Sequence, residues 1–427
     1  MIMLKKEDIQ YLNQPRLEQH QVEFKQLSEQ LTQRNIEVET VLNKLNEFQI
    51  AIPSWALGAG GTRFGRYHFG GAPRNLFEKI EDVGLLHALT GNSNAISLHI
   101  PWDIPEDTQA VKEAAAAQGL CFDAVNSNTF QDQGGQKHSY KFGSLSHVSQ
   151  EVRDQAIEHN KEVIRIGESL GSKSITVWLA DGSNFPGQTN FQNALGHTQN
   201  SLLEITRSLP EDWKMFIEYK PYEPHFYSTV IQDWGTSFLL ANACGPKAFT
   251  LVDLGHHLPN TNIEQIVATL LMHGKLGGFH FNDSKYGDDD LTVGSIQPYK
   301  LFLIFNELVY GMANNKNNPP LAWMIDASHN TKDPLEDLLQ SIEAILEAYA
   351  KALLIDQNAL HQAQKANDVV YGQELIQNAY KTDVRPLLCE MRQRKGAALQ
   401  PILTFRATKQ RELRLQNRGM DSQASGL

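Results

Sequence analysis

The chain has 427 residues, 41% hydrophobic and 20% charged, enough apolar material for a large buried core and too little bias for a disordered chain. Its net charge of -11 argues against a non-specific nucleic-acid binder, which needs a basic face to neutralise phosphates. No apolar run approaches the roughly 20 residues that span a bilayer, so no membrane partner is expected.

The opening, MIMLKKEDIQYLNQ, lacks the apolar core of a signal peptide. Cys121, Cys244 and Cys389 lie far apart and form no CxxC and no disulfide framework. Together these predict a cytoplasmic protein in a reducing compartment. Residues 15–48 read as one long polar helix with an apolar stripe, within an N-terminal helical segment over 1–50.

A rhythm then begins. Short runs rich in β-branched and aromatic residues predict strands at 51–57, 95–102, 119–127, 174–181, 214–221, 248–255, 276–284 and 321–328. Between them, 106–118, 150–170 and 262–273 repeat apolar residues at helical steps. Eight strands each followed by a helix predict an α/β fold, a (β/α)8 TIM barrel over 51–356. A doubly wound open sheet is the rival, and GAGGTRFGRYHFGG (58–71) is glycine-rich after the first strand. It lacks both GxGxxG and a Walker lysine. A C-terminal helical extension and tail occupy 357–427. Residues 384–418 carry nine Lys/Arg against two Asp/Glu, read as a solvated extension or as an arm docking on an acidic neighbouring subunit.

The strand ends carry the chemistry. Strand five ends in Glu218-Tyr219-Lys220 and strand six in Asp253, followed by His256 and His257. Strand seven carries His280, and strand eight ends in Asp326 and Ser328. Inward residues at the C-terminal rim of a barrel face one point, so Glu218, Asp253, His280 and Asp326 converge there. Alone, each is more easily a helix cap, an ion-pair partner or a satisfied core histidine. Three carboxylates buried together without a cation would be costly, so the set predicts a divalent metal site. Carboxylate and imidazole without thiolate favour Mn²⁺, Mg²⁺ or Co²⁺ over structural Zn²⁺. The loop Tyr286-Gly287-Asp288-Asp289-Asp290 is either a solvated acidic loop or, with His256, a second metal site in which Asp288 and Asp290 share Glu218. Trp55 ends strand one, His99 and Trp102 end strand two, Phe130 follows strand three and Trp178 ends strand four; collected on one rim, they resemble the apolar faces on which sugar rings and carbon chains pack. Lys220 offers a cation beside Glu218.

Seven segments in order carry a family resemblance: LHIPWD (98–103), VNSNTF (125–130), WLADGSNFPGQ (178–188), IEYKPYEPHF (217–226), VDLGHH (252–257), FHFNDSKYGDDDL (279–291) and MIDASHN (324–330). The chain resembles the L-rhamnose isomerases of the broad-specificity bacterial type, in the xylose-isomerase-like barrel superfamily. The resemblance implies a homotetramer with two Mn²⁺-type ions per subunit, Co²⁺ or Mg²⁺ being alternatives. It implies one ion on Glu218, Asp253, His280 and Asp326, and another on Glu218, His256, Asp288 and Asp290. It assigns His99, Lys220, Trp178, Ser328, Trp55, Trp102 and Phe130 to the sugar site, with Phe64 reaching into a neighbouring subunit's pocket. Asp326, Lys220 and His99 would act in the interconversion of L-rhamnose and L-rhamnulose, and of related aldoses such as D-allose. The choice of His256 over His257 rests on the family alone. A sugar 3-epimerase with a single metal on the same barrel is the nearest rival. A zinc-dependent repair endonuclease would need a basic rim, and a non-catalytic barrel would have no reason to converge these ligands.

Overall fold

The computed structural model describes residues 4–58, 70–223, 227–327 and 331–420. Three helices come first: α1 (Lys6–Asn13), α2 (Leu17–Gln33) and α3 (Val38–Glu47). The single helix expected over 15–48 is therefore broken. Asn35 takes φ 58, the left-handed conformation in which a short polar side chain ends a helix.

The barrel strands are β1 (Ala51–Pro53), β2 (Ala95–Ile100), β3 (Cys121–Ser127) and β4 (Ser174–Val177). They continue with β5 (Lys214–Glu218), β6 (Ala248–Asp253), β7 (Leu276–Phe281) and β8 (Ala322–Ile325). A helix follows each: α4 (Leu76–Thr90), α5 (Thr108–Ala117), α6 (Gln150–Leu170), α7 (Phe191–Arg207), α8 (Trp234–Cys244), α9 (Ile263–Met272), α10 (Pro298–Asn314) and α11 (Pro334–Leu353). All eight strands pair in parallel and close into one barrel, β1 lying between β2 and β8. The expected (β/α)8 fold is the fold observed. A short antiparallel pair, Tyr222–Glu223 with Tyr227–Ser228, extends beyond β5. Among the described residues no helix is long and apolar enough to cross a membrane.

Strand alternation sorts the side chains. On β7, Phe279 and Phe281 point outward and stack with Trp323 and Phe305, while His280 between them points inward. The interior below the rim is apolar. Ala124, Phe216, Phe249 and Leu251 pack together there, and Ala51, Ala95 and Met324 form a second cluster under Trp55. Several strands are shorter than expected at their C-terminal ends. Residues 54–56 already form a 3-10 turn, and Trp178 and Asp326 lie just past their ladders. Trp55, Trp178 and Asp326 thus stand at the top of a rigid sheet, while Glu218, Asp253 and His280 are paired within it.

Five helices close the chain: α12 (Gln357–Ala366), α13 (Val369–Lys381), α14 (Arg385–Lys395), α15 (Pro401–Ala407) and α16 (Gln410–Arg418). Of the nine basic residues over 384–418, Arg385, Arg394, Arg406 and Lys409 are exposed, as a solvated extension requires. Arg392, Arg414 and Arg418 are buried rather than solvated. Their partners belong to this same chain. Arg414 Nε lies 2.6 Å from Asp82 Oδ1 and Arg418 Nη1 lies 2.7 Å from Asp82 Oδ2. Asp82, on α4, is itself buried. Helix α16 also covers Gly71, whose φ of +79 and missing Cβ let its backbone approach Leu415.

Removing one member of a buried charge cluster strands the others. Asp82→Ala leaves two guanidinium groups buried without this partner, and should cost about 3–5 kcal/mol in urea unfolding. A loss below about 1 kcal/mol would mean that α16 is held by packing alone.

Candidate metal centre and aromatic pocket

The sheet register sets the height of each rim residue. Asp253 is level with His280, and His280 with Met324, so Asp326 stands two residues higher on β8. Glu218 closes β5, level with Leu251. These four residues offer ligand atoms that all lie within 4.8 Å of one another. His280 Nδ1 lies 3.2 Å from Glu218 Oε1, 3.5 Å from Asp326 Oδ2 and 3.9 Å from Asp253 Oδ2. Glu218, Asp253 and His280 are buried and Asp326 is half-buried.

Two of the carboxylates, Asp253 and Asp326, are oriented from behind. Asn282 Nδ2 donates to both oxygens of Asp253, at 3.0 and 3.1 Å, and to the Asp326 carbonyl at 3.2 Å. The backbone N–H groups of Gly255 and His256 also donate to Asp253 Oδ1. Trp55 Nε1 donates to Asp326 Oδ1 at 2.9 Å. Asn282 was not among the expected site residues. Its signal was available, since it follows His280 by two positions and so shares its face.

In the second expected set, His256 stands between Glu218 and Asp288. His256 Nδ1 lies 3.3 Å from Glu218 Oε1, and its Nε2 lies 3.1 Å from Asp288 Oδ1. His256 Nδ1 is buried and has no hydrogen-bond partner among the described residues. His257 points elsewhere, its Nε2 2.6 Å from the Tyr219 hydroxyl. The structure thus separates two histidines that spacing could not. In the acidic loop, Asp289 accepts from the backbone N–H groups of Lys285, Tyr286 and Gly287. It shapes the loop, and Asp288 and Asp290 on either side adopt left-handed φ values of 56 and 48. Asp288 Oδ2 also meets Lys220 Nζ at 2.5 Å, and Lys220 meets Glu223 Oε2 at 3.1 Å. Among the described residues only the first four bring their ligand atoms together as one cluster.

The crowding of charge splits the acidities. Burial would raise Glu218, but His280 and His256 outweigh it and hold the carboxyl well below the ordinary range. Burial pushes Asp253 up to about 6, with the Glu218 and Asp326 charges adding to it against His256. Asp290 is pushed up by burial and then by Asp288, Asp326 and Asp253. Burial disfavours charge on His280, yet Glu218 and Asp326 raise it to about 10. These shifts, the tight ligand geometry and the unpartnered His256 nitrogen all fit a divalent cation.

Beside this cluster an arc of rings lines the rim. Trp55 meets His99 edge-on at 5.4 Å, and His99 stacks on Trp102 at 4.0 Å. Phe130 packs against His99 at 5.6 Å and against Trp178 at 4.8 Å. Lys220 Nζ closes the arc, 5.2 Å above the Trp178 ring. Burial, then His159 and Lys79, lower His99 to about 3, so its imidazole is neutral at pH 7. Trp178 Nε1 and His99 Nδ1 are buried without hydrogen-bond partners among the described residues. Phe64 and Ser328 lie outside the described residues.

No family model matches the chain. It is 52% identical over 386 residues to a probable sugar isomerase of Rhizobium meliloti (strain 1021), covering 90% of each chain. It is 51% identical over 385 residues to a probable sugar isomerase of Mesorhizobium japonicum, covering 90% of this chain and 89% of that one. Among solved structures, the 3-keto-D-glucoside 4-epimerase of E. coli matches with a TM-score of 0.50 at 14% identity, over 70% of this chain and 99% of that one. The D-allulose 3-epimerase of Methylomonas sp. matches with a TM-score of 0.51 at 10% identity, over 70% and 98%. At such identities these two structures establish the shared barrel and nothing finer.

Ligation needs neutral imidazole and ionised carboxylate. With His280 raised to about 10 and Asp253 to about 6, a cation must displace protons to bind near neutral pH. Mn²⁺ binding should therefore tighten from pH 6 to pH 8 and release protons, read by titration calorimetry in buffers of different ionisation enthalpy. A pH-independent affinity would contradict this account of the cluster.

Proposed function

We propose, from the premise that this chain belongs to the family of probable sugar isomerases, that it interconverts an aldose and its ketose with divalent metal. L-Rhamnose and L-rhamnulose are the first pair, with D-allose among related substrates. The observation that carries this reading is the convergence of Glu218, Asp253, His280 and Asp326 beside the aromatic arc. The seven ordered motifs support the choice of L-rhamnose.

Glu218, Asp253, His280 and Asp326 would hold one cation, and Glu218, His256, Asp288 and Asp290 a second, with manganese the first choice. Such cations, when bound, polarise the carbonyl and hold two neighbouring oxygens of the open-chain sugar. The protein's own groups do the rest. Trp55, Trp102 and Phe130 pack the carbon chain and exclude water. Trp178 Nε1 and the neutral His99 have hydrogen-bonding capacity directed to sugar hydroxyls. Lys220 sets its ammonium against a substrate oxygen as negative charge develops there. Asp326, oriented by Trp55, takes a hydroxyl proton and returns it. Across the reaction one hydrogen moves from C2 to C1 and one hydroxyl proton from O2 to O1. Ser328 joins the substrate contacts, and Phe64 completes the pocket of a neighbour in a homotetramer.

A second reading is a sugar 3-epimerase with one metal. The observation favouring it is that Asp288 is held by Lys220 and His256, outside the single tight ligand cluster. Product chemistry separates the two. Chelator-stripped protein should be inactive, and Mn²⁺ or Co²⁺ should restore conversion of L-rhamnose to L-rhamnulose, read as ketose formation. Activity that only inverts C3 of a ketose would replace the isomerase with the epimerase.

The second cation has its own test. Asp290→Asn should reduce bound Mn²⁺ from about two ions per chain to about one and lower kcat by at least about tenfold. Full activity in that variant would remove the two-metal assignment.

A further inference from the structure

A buried carboxylate beneath the aromatic arc belongs neither to the expected ligands nor to the expected sugar contacts. Asp103 follows Trp102 at the end of the LHIPWD segment and is 2% exposed. Its Oδ2 accepts from Ser54 Oγ at 2.5 Å and from the His99 backbone N–H at 2.9 Å. Its Oδ1 accepts from Lys79 Nζ, on α4, at 2.6 Å. Its own N–H donates back to the His99 carbonyl at 2.9 Å. Ser54 and Lys79 are buried as well.

These contacts fall on backbone that carries the pocket wall. The reciprocal His99–Asp103 bonds close the turn in which Trp102 sits, stacked on His99. Ser54 directly precedes Trp55, which meets His99 edge-on and holds Asp326. One carboxylate therefore fixes the ends of β1 and β2 relative to each other, just where three rings of the wall emerge. Stability alone gives little reason for such an arrangement. A buried ion pair can often be exchanged for apolar residues without loss. What apolar residues cannot do is accept simultaneously from a backbone N–H and a hydroxyl and so fix two chain segments in register.

We propose that Asp103, neutralised by Lys79, is a positioning residue that sets the placement of Trp55, His99 and Trp102 against the sugar. The assignment rests on the isomerase reading for its substrate, but the placement of the rings is measurable without it.

The test compares full-length, Mn²⁺-loaded wild type with Ser54→Ala, Asp103→Leu, Lys79→Met and the double variant Lys79→Met/Asp103→Leu. Ser54→Ala removes one hydroxyl and should raise KM about threefold; Asp103→Leu removes the shared acceptor and should raise it about tenfold or more, with kcat changed less than about threefold. Mn²⁺ stoichiometry should not change. Asp103→Leu should also lower Tm, because Lys79 then lacks its charge partner. The double variant should recover that Tm yet keep the raised KM and an altered near-ultraviolet circular dichroism of the tryptophans. Recovery of KM together with Tm would reduce Asp103 to a stability element and overturn the proposal. So would a wild-type KM in folded Ser54→Ala and Asp103→Leu. If wild type isomerises no aldose, the isomerase reading fails on its own. The tryptophan dichroism then decides: an unchanged band in the double variant overturns the positioning role, and a changed one sustains it.

Discussion

The structure is organised around a concentration of largely buried negative charge. Glu218, Asp253 and Asp326 share a space within 4.8 Å with one imidazole. Asp288 and Asp290 stand close enough to shift the acidities of their neighbours. Buried carboxylates repel one another and lose hydration, so each must find positive charge or donors. The surroundings answer that demand. His256 and His280 draw protons, Lys220 meets Asp288, and Asn282 with two backbone N–H groups covers Asp253. Trp55 covers the remaining oxygen of Asp326. Protons and donors hold the cluster together, and a divalent cation could supply the same charge more compactly.

A closed parallel barrel is suited to hosting such a cluster. Its hydrogen-bonded strands fix Cα positions, and its apolar floor of Phe216, Phe249 and Leu251 keeps water out from below. Charge is thereby confined to one end. The aromatic arc then faces the cluster from strands one to four, while the ligands come from strands five to eight. One half of the rim is apolar and shaped, the other polar and charged. An open-chain sugar has matching halves only if its carbon chain lies on the rings and its oxygens face the charge.

Much of this was legible in the sequence because it follows local rules. Eight apolar runs alternating with helical periodicity specify the barrel, and inward positions at strand ends specify Glu218, Asp253, His280 and Asp326. The less legible features depend on distant contacts or subtle backbone choices. Arg414 and Arg418 read as surface charge because their partner, Asp82, is more than three hundred residues away. The break at Asn35 lies in a left-handed residue inside an otherwise helical pattern. His256 and His257 are equivalent by spacing, and distant partners distinguish them: Glu218 and Asp288 for His256, the Tyr219 hydroxyl for His257. Asp289 differs from its two acidic neighbours only through backbone N–H groups that the sequence does not display. The expectations for Phe64 and Ser328 fall outside the described residues.

The distinction between one cation and two turns on Asp288. Its two oxygens face His256 Nε2 and Lys220 Nζ, so a cation there would share the carboxylate with both or displace one. Lys220 is placed to yield. It keeps Glu223 at 3.1 Å and the Trp178 ring at 5.2 Å, so an ammonium that gave up Asp288 would remain paired while buried. His256 contributes a buried Nδ1 that already faces Glu218 without a hydrogen bond. The arrangement thus lets a second cation take over Asp288 without stranding a charge on the protein.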